Sequence, residues 1–137
     1  MLTRSKPIAV RKPTQAAARI LVVDDEQRVA DSVAFMLMHE GYEAKAVYSG
    51  TEAIRVAPDF KPLLVLADVI MPEMNGVDAA IEVCRIVPGC RVILFSGHSS
   101  GHELSQEAAS QGYNFEFIEK PTHPMEMLLK IGFALAV

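Results

Sequence analysis

Asp68 closes the apolar run Leu63-Leu64-Val65-Leu66-Ala67. A carboxylate at the mouth of a buried strand is unfavourable unless something there requires it. Asp24 and Asp25 end a second run, Ile20-Leu21-Val22-Val23. Ser96 ends a third, Arg91–Phe95, and Lys120 a fourth, Phe115–Ile118. Four runs ending in complementary groups describe one site, with Asp68 as its candidate nucleophile.

Three neighbouring carboxylates raise one another's pKa unless a cation is present. A hard divalent ion with oxygen ligands meets that need. Mg²⁺ fits best, because it takes one or two carboxylates, keeps waters and bridges to phosphate oxygens. Asp68 can serve as a ligand alone, or it can attack phosphorus to form an aspartyl phosphate. Lys120 can pair with Asp68 and then with phosphoryl oxygens. The Ser96 hydroxyl can donate to such an oxygen. Gly97 leaves room for close backbone approach. Each group also has a plainer role: Asp24 or Asp25 as a helix cap, Ser96 as a strand end, Lys120 as a solvated cation. His98 and His102 stand at i and i+4, but Ser99-Ser100-Gly101 between them favours loop histidines over metal ligands.

The elements that must position these groups alternate. Strands are expected at Arg19–Val23, Glu43–Val47, Leu63–Ala67, Arg91–Phe95 and Glu116–Ile118. A helix at 27–40 is suggested by Val29, Val33, Met36 and Leu37, with Gly41 as its stop. Ser49 caps a short helix reaching Ala57 and closed by Pro58. Val77, Ala80, Ile81 and Cys84 mark a third helix that ends before Pro88-Gly89. A polar, Ser-rich helix covers Glu103–Gln111, and the last runs from Pro124 to Ala136. Strand–helix alternation of this kind gives an α/β doubly wound parallel sheet of five strands with helices on both faces. Ligands of such sheets bind outside the carboxyl ends of the strands, where all the candidate groups lie.

The 137 residues suggest one domain, and half are hydrophobic, enough for a core. Residues 1–18 hold Arg4, Lys6, Arg11, Lys12, two prolines and no acid, and read as a flexible basic tail. Setting those four aside leaves 9 basic against 17 acidic residues, a net −8 for 19–137. So acidic a unit is a poor nucleic-acid binder. No run approaches a membrane span, and the tail lacks the apolar core of a secretory signal. Cys84 and Cys90 have no metal-type spacing and read as reduced packing thiols. Together these suggest a cytoplasmic protein.

In order along the chain, Val23-Asp24-Asp25-Glu26, Asp68-Val69-Ile70-Met71-Pro72 with Gly76, Ser96-Gly97 and Lys120-Pro121 resemble the receiver domain of response regulators in two-component signalling. The likeness covers Arg19 to the C-terminus. It implies a flavodoxin-like sheet in order 2-1-3-4-5. It implies that Asp68 accepts a phosphoryl group from a histidine kinase or phosphotransfer protein. Asp25, Asp68 and the main-chain carbonyl of Ile70 would bind Mg²⁺, with Asp24 helping through water. Lys120 would contact the phosphoryl group, with Ser96 and Phe117 as the switch pair. Phe117 stands where the family often has tyrosine, so its switching must act by packing. Ile70 and His98, two residues past Asp68 and Ser96, are expected to tune the phosphoryl lifetime. The output would be protein contact through the fourth helix, fifth strand and fifth helix, including phosphorylation-dependent homodimerisation on the apolar last helix. There Met125, Leu128, Leu129 and Gly132 are expected to face the sheet. A stand-alone receiver is expected, a signalling module and not an enzyme; the alternative is the receiver part of a larger regulator or hybrid kinase. A Mg²⁺-dependent aspartyl phosphohydrolase fits less well, because Asp24 and Asp25 are adjacent where such enzymes carry Asp-X-Asp.

Overall fold

The computed structural model describes residues 17–97, 100–120 and 122–136, with backbone alone at 100–102 and 105. Nearly all of the basic tail, His98, Pro121 and Val137 lie outside the described residues, as does the side chain of His102.

Five strands, β1 (Arg19–Val23), β2 (Glu43–Val47), β3 (Leu64–Asp68), β4 (Arg91–Ser96) and β5 (Glu116–Glu119), form one parallel sheet in the order β2-β1-β3-β4-β5. Five helices alternate with them: α1 (Gln27–His39), α2 (Gly50–Phe60), α3 (Gly76–Ile86), α4 (Ser100–Ser110) and α5 (Pro124–Leu135). The doubly wound parallel sheet expected from the alternation is observed, and its strand order is the one that the family resemblance implied. β1, β3 and β4 are apolar on both faces because helices cover both. One face packs Leu21, Val23, Val65 and Leu94 against α2, α3 and Ala108 of α4. The other packs Ile20, Val22, Leu66, Ile93 and Phe95 against Ala30, Ala34 and Leu37 of α1 and Met127 and Ile131 of α5. The rims differ. β2 exposes Glu43 and Lys45, and β5 exposes Glu116 and Glu119.

Local chemistry explains the helix ends. Ser49 Oγ accepts from the Glu52 amide at 3.0 Å, while Glu52 Oε1 accepts from the Tyr48 amide, one residue before the cap, at 2.9 Å. α1 stops at Gly41, whose φ of 97° lets the Tyr42 amide bond the Leu37 carbonyl at 3.1 Å. His123 caps α5 by accepting from the Met125 amide, and Pro124 follows in the first turn.

Three expectations are corrected. Pro58 does not close α2; the helix runs on to Phe60 and ends at Lys61, which takes a left-handed φ of 51°. Proline in a last turn forfeits one amide bond and its φ is already helical, so the turn survives. In α1 the buried stripe is Ala30, Ala34 and Leu37, and Val29 is exposed. In α5 the phase is turned: Met127 and Ile131 are buried and Leu128 partly so, whereas Met125 and Leu129 are each 58 % exposed and Phe133 75 %. A helix with so few charged residues offers no polar face to fix its rotation. Packing against Ile20, Phe95 and Ile118 decides it instead.

Candidate functional site

The carboxyl ends of β1, β3 and β5 bring Asp24, Asp25, Asp68 and Lys120 together. One oxygen from each of the three carboxylates lies within 4.8 Å of the others. Lys120 Nζ stands 3.4 Å from Asp68 Oδ1 and 4.0 Å from Asp24 Oδ2. The ammonium therefore spans two of the acids from the β5 side.

Each carboxylate has its own environment. Asp24 is 5 % exposed, and Oδ1 accepts from the Glu26 amide at 2.9 Å. That bond fixes the acid beside α1 without making it the helix cap, which is Glu26. Burial raises the Asp24 carboxyl above its ordinary range, opposed next by the Glu26 amide, and Asp68 adds to the rise. Burial also raises Asp68; Lys120 opposes this, while Asp25 adds to it and the Ile70 amide, donating to the carboxylate, works against it. Asp25 is exposed and completes the cluster toward solvent. Partly desolvated acids that repel one another suit a hard divalent cation, and the oxygen-only donor set fits Mg²⁺.

Ser96 is fully buried as the last residue of β4, and its carbonyl accepts from the Lys120 amide at 2.8 Å. This backbone bond locks the serine and lysine to a common register at the end of the sheet. Among the described residues, a Cβ at Gly97 would meet only Lys120 Cβ at 3.9 Å, an ordinary contact. Phe117 packs with Leu104 of α4 against the α2–α3–α4 side of the core. Ile70 is 49 % exposed. His98 contributes no geometry, since it lies outside the described residues.

The sequence counted Gly76 only as part of the motif and left its packing role, and the Asn75 cap beside it, unread. Gly76 opens α3 directly against β3: an added Cβ would sit 2.0 Å from the Asp68 carbonyl oxygen. Its amide donates to the Val69 carbonyl at 2.8 Å, and the neighbouring Asn75 side chain caps the helix through the Asp78 amide. The loop between, Met71–Asn75, holds Glu73 at a φ of 68°, uncommon for a residue with a side chain. Asn75-Gly76 before an apolar periodic run was the legible signal for such a tight helix start.

The chain matches the family described as the response regulator receiver domain over residues 20–132. It is 30% identical over 118 residues to the DNA-binding response regulator MtrA of Mycobacterium tuberculosis, an alignment that covers 82% of this chain and 48% of the relative. It is 35% identical to the transcriptional regulatory protein GlrR of Escherichia coli, over 86% of this chain and 26% of the relative. The chain thus spans half or less of the length of these curated relatives. Among solved structures, a CheY-like receiver domain protein of Methanospirillum hungatei superposes with a TM-score of 0.75 at 28% identity, over 85% of this chain and 92% of that one. Chemotaxis protein CheY4 of Vibrio cholerae shares the fold, with a TM-score of 0.78 at 23% identity, over 88% of this chain and 100% of the other.

Proposed function

Because the chain belongs to the response regulator receiver domain family of two-component signalling, we propose that it is phosphorylated on Asp68 and signals by protein contact. The observation that carries this reading is the Asp68 carboxylate, held at the end of a central strand between two acids and an ammonium.

Asp25, Asp68 and the Ile70 carbonyl would hold Mg²⁺, with Asp24 acting through water. The ion would neutralise carboxylate charge and the charge of an incoming phosphoryl group. The remaining work falls to the chain. An Asp68 oxygen attacks the phosphorus of a phosphohistidine on a kinase or phosphotransfer protein; the P–O bond forms as the P–N bond breaks. Partial burial favours this by stripping water from the nucleophile, while Lys120 and the Ile70 amide favour its charged form. Lys120, already 3.4 Å from Asp68, then pairs with a phosphoryl oxygen. Ser96 Oγ donates to another, and Phe117 repacks toward the space this frees. The change reaches the surface along α4, β5 and α5. The acceptor is thus a switch, with slow loss of phosphate as its only turnover, and its lifetime would depend on Ile70 and His98.

Acetyl phosphate with Mg²⁺ tests the reading. Intact mass should rise by one phosphoryl group in the wild type and stay unchanged in Asp68→Asn. Labelling that persists in the variant would move the acceptor elsewhere.

A further inference from the structure

At the opposite end of the sheet the fold brings together two thiols that the sequence read as mere packing. Cys84 lies in the last turn of α3, and its Sγ is 3.5 Å from the Cys90 carbonyl oxygen. Cys90 precedes β4, and its Sγ is 3.5 Å from the Arg91 carbonyl oxygen. The two thiols are thus held on one turn, each against a main-chain carbonyl. A tight turn produces this meeting. The Cys90 amide bonds the Val87 carbonyl at 3.1 Å across Pro88-Gly89, with Gly89 at a φ of 89°. Proline followed by a positive-φ glycine is the pattern of a type II turn, and here it folds Cys90 back onto the end of α3. Both thiols are partly exposed and line an open cavity of about 440 Å³, walled also by Arg91, Tyr113 and Phe115.

We propose that Cys84 and Cys90 form a reversible oxidation site, closed to an intramolecular disulfide by small peroxides entering this cavity. The Cys84 sulfur attacks one peroxide oxygen and the O–O bond breaks. The released hydroxide leaves as water with the thiol proton, and Cys84 becomes a sulfenic acid. The Cys90 sulfur then attacks the Cys84 sulfur. The S–O bond breaks, and the hydroxyl departs as a second water with the Cys90 proton. Two thiols are oxidised by two electrons and one peroxide is reduced to two waters. The balance is the same whichever of the two sulfurs attacks first, since the hydroxyl always leaves from the sulfur that met the peroxide. An external thiol reopens the bond by exchange.

Hydrogen peroxide acting on the whole chain, followed by alkylation and intact mass under non-reducing conditions, tests this. The expected product has lost two hydrogens, takes up no alkylating reagent, yields a cross-linked Cys84–Cys90 peptide and returns to two free thiols with dithiothreitol. Methionine oxidation adds oxygen without changing the thiol count. Because the fold positions the pair, bridge formation in the native chain should be about tenfold faster than in concentrated urea. Cys84→Ser and Cys90→Ser should each abolish the bridge. Two thiols that stay alkylatable, oxidation that stops at one sulfur, disulfides only between chains, or a rate that rises on unfolding would each overturn the proposal.

Discussion

At the residue scale, the acids of the site place a load on the metal-free fold. Asp24 has an ordinary pKa of 3.8, raised in the folded state chiefly by burial. Above about pH 4 the unfolded chain therefore releases this proton more readily than the folded one. Stability falls as pH rises through that window. Asp24→Asn removes the effect and keeps an oxygen for the Glu26 amide. In chelator its melting temperature should match the wild type near pH 4 and exceed it by about 2–4 °C at pH 7. Mg²⁺ should reverse that order by stabilising only the intact cluster. Fluorimetric melts of both proteins across this range provide the check; a pH-independent difference would count against the electrostatic origin. The polar half of the site was legible because acids, a hydroxyl and an ammonium at the ends of apolar runs are conspicuous. Its steric half was not, because Gly76 displays no chemistry and its importance lies in the Asp68 carbonyl that β3 brings against it.

At the element scale, that close approach makes its own prediction. Gly76→Ala must push α3 away from β3, and overpacking of this kind costs about 1–3 kcal/mol. The urea midpoint should fall accordingly. Phosphorylation should slow as well, since the displaced backbone carries Asp68; an unchanged midpoint would mean that α3 yields freely. The alternation of strands and helices and most helix limits could be read from periodicity and from Gly41, Ser49 and Pro124, whereas strand order followed only from the family resemblance. Helix rotation could not. Small residues lie against the sheet in α1, Ala30 and Ala34, because the helix packs closely there, while larger Val29 stays outside. In α5 only Glu126 and Lys130 are charged, so many rotations satisfy the apolar pattern, and the sheet chooses the one that buries Met127 and Ile131. Pro58 misled for a related reason: a rule about helix interiors does not bind a final turn.

At the scale of the whole molecule, the rotation of α5 leaves Met125, Leu129 and Phe133 along one exposed line at i, i+4 and i+8. Within the proposed α4–β5–α5 output face, that line is the part suited to a partner or a second copy. Phe133→Glu should leave the melting temperature within about 1 °C, because the side chain is largely solvated. It should abolish any association that a phosphoryl mimic induces. Sedimentation velocity with beryllofluoride and Mg²⁺ reads this directly, and a wild type that stays monomeric with the mimic would assign the line to another partner. The sheet's rims bear on assembly in a different way. Fixed charges at Glu43 and Lys45 on one side, and at Glu116 and Glu119 on the other, greet any strand that approaches edge-on. Apolar, β-prone segments such as Ile20–Val23 and Val92–Phe95 occupy strands inside those rims and under helices. The chain can thus become concentrated without seeding polymers, provided its helices stay docked.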